Sequence, residues 1–224
     1  MPDSPLLRPV KQPRMTREEK ARDTYMRILE ASARVVGEDG YADASVSKIT
    51  RLAGVAQGTF YNYFESRQHV FDKLLPYMGR QMLDHIRRTV APDLAGADRE
   101  AARLRAFFDY INEHPAFYRI LYEAEIFAPR AHAEHFQLLV DGYKGALGRA
   151  AGRGEIQGFS EPELEAVIYM LLAARAYLAM RYVHDGKGGS APVPEHVVDA
   201  YVKLVTRGLF TPPPDHAGGA GGRR

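Results

Sequence analysis

Residues 45–71 read SVSKITRLAGVAQGTFYNYFESRQHVF, and this stretch decides the fold. Ser45 is a side-chain cap for a short helix from Val46 to Ala53. Gly54 and Val55 supply a tight turn, and a second short helix runs from Gln57 to Phe64. Ser66 then caps a long helix whose apolar residues Phe71, Leu74, Leu75, Met78, Met82 and Ile86 recur at helical spacing. Two short helices joined by a glycine turn form a helix-turn-helix. Val46, Ile49 and Leu52 are expected to face inward from its first helix, with Val55 and Phe60 closing a small core. Phe60 and Phe64 read as core residues. Between residues 46 and 64 the only charges are Lys48 and Arg51. An acid-free surface is what lying against phosphates requires. Gln57, Thr59, Tyr61, Asn62 and Tyr63 on the second helix are compact donors and acceptors, suited to base edges or phosphate oxygens.

Working outward, the rest of the chain reads as helix after helix. Ile28, Val35 and Val36 mark a first helix over 17–39, with Gly40 as its stop. Further helices are predicted at about 98–112, 115–127, 131–151, 161–184 and 194–210, punctuated by Pro115, Pro129, Gly152, Gly154, Gly158 and Pro192–Pro194. Period-two alternation is scarce. The prediction is an all-α protein of about nine helices. A helix-turn-helix domain is expected at 16–65, followed by a larger helical bundle at 66–210. Residues 1–15, with Pro5, Pro9 and Pro13 among bases, and residues 211–224 (TPPPDHAGGAGGRR) read as a disordered basic arm and a disordered tail.

Composition narrows the function classes. The 224 residues are 46% hydrophobic and 26% charged, as in an ordinary globular protein. The net charge of +2 is too small to argue nucleic-acid binding by itself. Its distribution agrees with the motif: residues 1–90 carry 15 bases and 11 acids, and residues 91–224 carry 15 bases and 17 acids. No cysteine is present, which excludes disulfides, thiolate metal sites and cysteine nucleophiles. The most apolar run, Ala166–Met180, has 15 residues and contains Arg175. That is short of the roughly 20 a membrane span needs. With no secretory leader visible, the expectation is a cytoplasmic protein.

Enzyme signatures fare poorly. No glutamate stands three residues before a histidine, as a di-iron carboxylate bundle requires. His132 and His135 could share a metal, but no third ligand is apparent, and both read as exposed polar residues. Glu123 and Glu125 point to different sides of a helix. No nucleophile elbow or phosphate loop occurs. The sequence calls for no enzyme activity, no metal and no cofactor.

The stretch resembles the TetR family of bacterial repressors. The resemblance rests on Ser45, Val46, Ile49, Ala53, Gly54, Val55, Gly58, Thr59, Tyr61, Tyr63, Phe64, Ser66, Arg67 and Val70, with Ile28, Leu29, Ala31 and Gly40-Tyr41 before them, and covers about residues 22–72. It departs at Thr50, where alanine is usual, and at Ala56, where a serine hydroxyl could cap the second helix. Arg67 stands where lysine is common. The resemblance implies that Ser45 and Lys48 meet the DNA backbone. It further implies that Gln57, Gly58, Thr59, Tyr61 and Asn62 lie in the major groove, and that Tyr61, Tyr63 and Arg67 contact phosphates. Arg8, Lys11, Arg14 and Arg17 of the arm are possible extra contacts, a solvated tail being the plainer reading.

For the larger domain the resemblance implies a small-molecule effector and a homodimer. The face Ile168, Leu171, Leu172, Arg175, Leu178, Ala179 and Tyr182 on 161–184 is the expected interface, with Val197, Val198, Tyr201, Val202, Leu204, Val205 and Leu209 on 194–210. The middle helices are aromatic, and Phe107, Tyr118, Tyr122, Glu125, Phe136, Tyr143 and Arg175 are the candidate ligand-binding residues. Arg175 could pair with an organic acid or acyl-thioester, or else with Glu125 or Glu123. The function implied is a ligand-responsive regulator, most often a repressor released from a palindromic operator by a small hydrophobic, anionic effector. The alternative is a DNA-binding module with no small-molecule effector.

Overall fold

The computed structural model describes residues 15–156, 158–183 and 192–207. These residues form nine α-helices and no strand: α1 (Arg17–Asp43), α2 (Val46–Ala53), α3 (Gln57–Tyr61), α4 (Arg67–Thr89), α5 (Gly96–Glu113), α6 (Ala116–Phe127), α7 (Pro129–Gly152), α8 (Glu161–Tyr182) and α9 (Glu195–Arg207). The fold is all-α. The basic arm (Arg8, Lys11, Arg14), Leu209 and the 211–224 tail lie outside the described residues.

Local chemistry sets the helix ends. Thr16 and Glu19 form a reciprocal capping box that starts α1, the Thr16 N–H donating to Glu19 Oε2 at 2.7 Å and the Glu19 N–H to Thr16 Oγ1 at 3.1 Å. Gly40 interrupts α1 with φ +84° and ψ 167°, a backbone region open almost only to glycine. The chain continues helically to Asp43, so the helix outlasts its predicted end at residue 39 with a kink in place of a stop. Gly54, at φ +65°, closes α2 in the left-handed cap conformation. Ser66 Oγ accepts the His69 N–H at 3.0 Å, capping α4 as its sequence suggests.

The chain divides into two compact units. One comprises the described residues through Leu75 together with Arg119–His132; the other comprises Pro76–Tyr118 and the described residues from Ala133 onward. The core of the first is Ile28, Leu29, Val36, Ile49, Phe60, Phe64, Val70, Phe71 and Leu74, with Ile120 and Ala124 from α6. The Arg119–Glu123 segment is fixed to α1 by polar contacts. Glu123 Oε2 accepts the Tyr41 N–H at 2.8 Å. Arg119 Nε donates to Glu123 Oε1 at 2.6 Å, and its Nη1 donates to the Glu38 carbonyl at 2.8 Å. Gln68 of α4 donates to the Phe127 carbonyl at 3.0 Å.

The second unit buries Met78, Met82, Leu104, Phe108, Tyr110, Ile111, Phe117, Leu139, Ile168, Val197 and Val198. A side chain at Gly79 would collide with the ring of His135, so glycine permits a close approach of α4 and α7. His135 is thereby buried, against its expected exposure: the ring fills the space that Gly79 leaves, beside Phe117. Among the described residues no group of three His, Asp or Glu side chains could hold a metal ion, and no helix is long and apolar enough to cross a membrane.

Candidate nucleic-acid interface

Residues 45–64 build a small scaffold that holds one polar surface outward. Ser45 Oγ accepts the Lys48 N–H at 3.3 Å and starts α2. The Val55 N–H reaches back to the Thr50 carbonyl at 3.0 Å, closing the turn after Gly54. Ile49 and Thr50 are buried, whereas Leu52 is 40% exposed. The expected inward set of α2 is corrected accordingly. Its inner stripe is Val46, Ile49, Thr50 and Ala53, at i, i+3, i+4, i+7, and Leu52 falls outside that arc.

Helix α3 ends at Tyr61, short of the predicted Phe64. Phe60 and Phe64 are both buried, and the Phe64 N–H bonds the Phe60 carbonyl at 2.9 Å. The chain must turn after Tyr61 to seat both rings before α4 begins. Ala56 is extended at the α3 N-cap and supplies no side-chain bond, as expected of an alanine there.

The outer surface is polar and acid-free. Gln57, Gly58, Tyr61 and Asn62 are exposed, and Thr59 and Tyr63 are half-buried. Tyr61 is 54% exposed and rests edge-on against Phe60, with ring centroids 5.3 Å apart. Tyr63 lies 6.4 Å from the Tyr25 ring, so part of it serves packing. A side chain at Gly58 would meet nothing within 4 Å, so the backbone there is open to a close partner.

The two expected cations are engaged within the unit. Lys48 Nζ lies 2.8 Å from Asp39 Oδ2 and 3.2 Å from the Asp43 carbonyl. Arg67 Nη1 donates to the carbonyls of Ala42 and Ala44, at 3.3 and 3.0 Å, and its guanidinium sits 5.4 Å from the centre of the Phe71 ring. Both therefore cap the carbonyl end of α1, a role that the sequence did not disclose.

The candidate ligand residues divide. Tyr143 and Arg175 line one cavity in the second unit. Phe107 and Phe136 are half-buried against Phe108 and His135, and neither lines that cavity; nor does half-buried Tyr118. Tyr122 and Glu125 are exposed and belong to the other unit. The packed stripe of α6 is Phe117, Ile120 and Ala124, and Tyr122 and Glu125 lie away from it.

Arg175 pairs with neither Glu125 nor Glu123. Its partner is Glu100 of α5, at 2.5 Å, and the Tyr201 hydroxyl donates to the same carboxylate oxygen at 2.8 Å. Arg175 also faces the Tyr143 and Tyr201 rings at 5.2 and 5.9 Å. Burial disfavours its charge, and the groups around it more than offset that, raising its pKa. Burial likewise pushes the Tyr143 phenol up to about 12. Glu100 went unmarked in the sequence. The signal was an acid in register with Leu104, Phe108 and Ile111 on the buried stripe of α5.

The apolar residues of α8 also divide differently than expected. Ile168, Arg175 and Ala179 are buried within the unit, while Tyr169, Met170, Tyr177 and Met180 are exposed. On α9, Val197, Val198 and Tyr201 are buried and Leu204 and Val205 are exposed. Of the named α8 face, Ile168, Arg175 and Ala179 are core, Leu171, Leu172, Leu178 and Tyr182 are half-buried, and the exposed apolar residues lie outside it.

The helix-turn-helix segment has a counterpart among known proteins. Residues 28–74 match the bacterial regulatory proteins of the tetR family. Through this domain the chain is similar to the TetR family. The fatty acid metabolism regulator protein of Bacillus subtilis is 29% identical over 90 residues, 40% of this chain and 46% of that protein. The HTH-type transcriptional regulator EthR of Mycobacterium tuberculosis is 30% identical over 109 residues, 47% of this chain and 50% of that one. The chain thus spans about half the length of each of these relatives. The fold of this chain is similar to that of the transcriptional regulator FadR from Bacillus subtilis, solved in complex with stearoyl-CoA. The TM-score is 0.69 at 19% identity, over 83% of this chain and 100% of that one.

Proposed function

We propose that this chain is a ligand-responsive, DNA-binding transcriptional regulator, acting as a repressor released from its operator by a small hydrophobic, anionic effector. The observation that carries the reading is the exposed, acid-free surface of α3, held on a capped and packed helix-turn-helix. In this reading Gln57, Gly58, Thr59, Tyr61 and Asn62 enter the major groove. Ser45, Lys48, Tyr63 and Arg67 meet the phosphates, which compete for the donors now given to Asp39 and the α1 carbonyls.

The chain acts as a homodimer through α8 and α9. Exposed Tyr169, Met170, Tyr177 and Met180, with Leu204 and Val205, make an apolar surface that a second copy would cover. Two such readers address half-sites about 34–36 Å apart, hence a near-palindromic operator. The second unit is the sensor. Its cavity beside Tyr143 and Arg175, and the stearoyl-CoA held by the FadR of similar fold, support an acyl-thioester or related organic anion as effector. A coupling of about 1–3 kcal/mol between effector and DNA would lower operator affinity 5- to 150-fold.

Footprinting of the full chain on the DNA flanking its own gene tests this. Two protected half-sites one helical turn apart are expected, with protection lost in a Met170→Asp/Tyr177→Asp double variant that sediments as a monomer. Absence of any protected site at low salt would overturn the reading.

A further inference from the structure

The cavity beside Arg175 has a volume of about 130 Å³ and a mixed lining. Leu83, Ile86 and Ala146 contribute apolar surface. Four guanidinium groups, of Arg87, Arg103, Arg149 and Arg175, line the same space. The acids that answer these cations are fewer. Glu100 takes Arg175 at 2.5 Å and stands 3.7 Å from Arg103. Asp84 takes Arg87 at 3.0 Å. Arg149 makes no ion pair with any described acid. Four cations thus meet two carboxylates around one small space.

Two donors in the same lining lack acceptors. The Tyr143 hydroxyl and Arg175 Nε are buried without a hydrogen-bond partner. A buried donor left unmet is costly, and natural proteins keep few of them. With its pKa pushed up to about 12, Tyr143 is a proton donor throughout the neutral range.

We infer that this cavity is an oxyanion site for a phosphoryl group, with Arg149 and Arg103 supplying charge, and Tyr143 Oη and Arg175 Nε supplying directed donors. The class follows from the count. One carboxylate brings a single charge and two oxygens, too few for a surplus of two cations and two further donors. A phosphoryl group brings about −1.5 to −2 and three acceptor oxygens, and guanidinium groups bind it in fork geometry. The volume admits a headgroup and not a long chain, and Leu83 and Ile86 supply apolar contact beside it. Arg175 therefore acts as a placed donor and not as the main counter-charge, which Glu100 already supplies. The site rests on the sensor reading only for its consequence on DNA, not for its binding.

Two sources share this chemistry: free inorganic phosphate, and the phosphoryl groups of a larger ligand such as a coenzyme A thioester. Calorimetric titration of the full chain with inorganic phosphate, with coenzyme A and with butyrate, at ionic strength matched by chloride, separates them. Binding of phosphate or coenzyme A below about 1 mM is expected, with butyrate weaker. Coenzyme A alone would mark the larger ligand; equal binding would mark the free ion. Arg149→Ala, at an exposed position that carries no core, should weaken binding about tenfold or more, and Arg149→Lys should restore part of it. Tyr143→Phe should weaken binding too, while leaving the melting temperature of the ligand-free chain equal or higher, because it removes an unmet hydroxyl. No binding of either phosphate source, or wild-type affinity in both Arg149→Ala and Tyr143→Phe, overturns the site. Binding that leaves DNA affinity unchanged keeps the site and overturns the sensor reading alone. Release from DNA by a different compound, with no phosphate or coenzyme A binding, does the reverse.

Discussion

Replacing Gly40 by alanine perturbs the kink in α1 and the contacts that hold α6 to it. The backbone at Gly40 lies at φ +84°, ψ 167°, where a residue with a Cβ is strained by about 1–3 kcal/mol. The added Cβ would also fall 2.6 Å from Arg119 Nη2 and 2.9 Å from Glu123 Oε2. The pair must move, loosening the bonds from Arg119 to the Glu38 carbonyl and from the Tyr41 amide to Glu123. The Arg119 and Glu123 side chains are 41% and 28% exposed, so solvent screens the pair and its share is about 1 kcal/mol. The two contributions together are about 2–4 kcal/mol. Urea denaturation of the full chain, followed by circular dichroism, reads the loss as a lower midpoint at unchanged slope. A Glu123→Ala background isolates the contact with Glu123. The strain and the Arg119 contact should remain there and the Glu123 contact should not, so Gly40→Ala should cost less in the double variant than in the wild type. A loss under 0.5 kcal/mol in the wild type would refute the assigned backbone conformation, and strict additivity would refute the contact with Glu123.

Three further outcomes follow from the same structure. Glu100→Gln leaves the Arg175 charge buried with a neutral partner and should destabilise the chain by about 3–5 kcal/mol, read by thermal melting; Arg175→Met, which removes the charge, should cost less. Ala56→Ser places a hydroxyl at an extended N-cap that lacks a side-chain bond and should raise stability by about 0.5–1 kcal/mol in the same assay. Burial pushes the Glu123 carboxyl up, but its bonds from Arg119 and the Tyr41 amide outweigh that and hold its pKa below the ordinary value. Its contribution is present above the unfolded pKa, near 4.3, and is lost as pH falls through the lower folded value. Stability curves of wild type and Glu123→Gln should therefore converge as pH drops below about 4, and a constant gap would contradict the assignment.

Where local chemistry fixes structure, the sequence was legible. Ser45, Gly54 and Ser66 act through their own backbone neighbours, and each caps as its position suggests. Phe60 and Phe64 are large rings in a short polar segment and have only the interior to go to. Periodicity decided less where a helix is apolar all round. On α8 the register that reads Ile168, Arg175 and Ala179 as a partner surface is the one the chain keeps for itself. Nothing in the sequence favours one side of such a helix until its neighbours α5 and α9 are in place. Relations between distant positions were hidden altogether. Glu123 meets Tyr41 across 82 positions and Glu100 meets Arg175 across 75, and neither acid carries a local mark of its partner. Glu125 was the misleading neighbour: it shares a helix with the packed residues and points away from them. Phe107, Tyr118 and Phe136 look like pocket residues by composition, yet the cavity beside Tyr143 and Arg175 is completed by Arg87, Arg103 and Arg149, which no motif in the sequence marks.

Regulation by this chain requires α3 to meet DNA. Fluorescence anisotropy of a labelled duplex carrying the footprinted site, titrated with wild type and with Tyr61→Ala at fixed salt, tests it most directly. Tyr61 is exposed beyond the Phe60 ring, so its loss should spare fold and dimer, both checked by circular dichroism and sedimentation. Affinity for the site should fall tenfold or more. Equal affinity of the two proteins, with both folded and dimeric, would contradict the central claim.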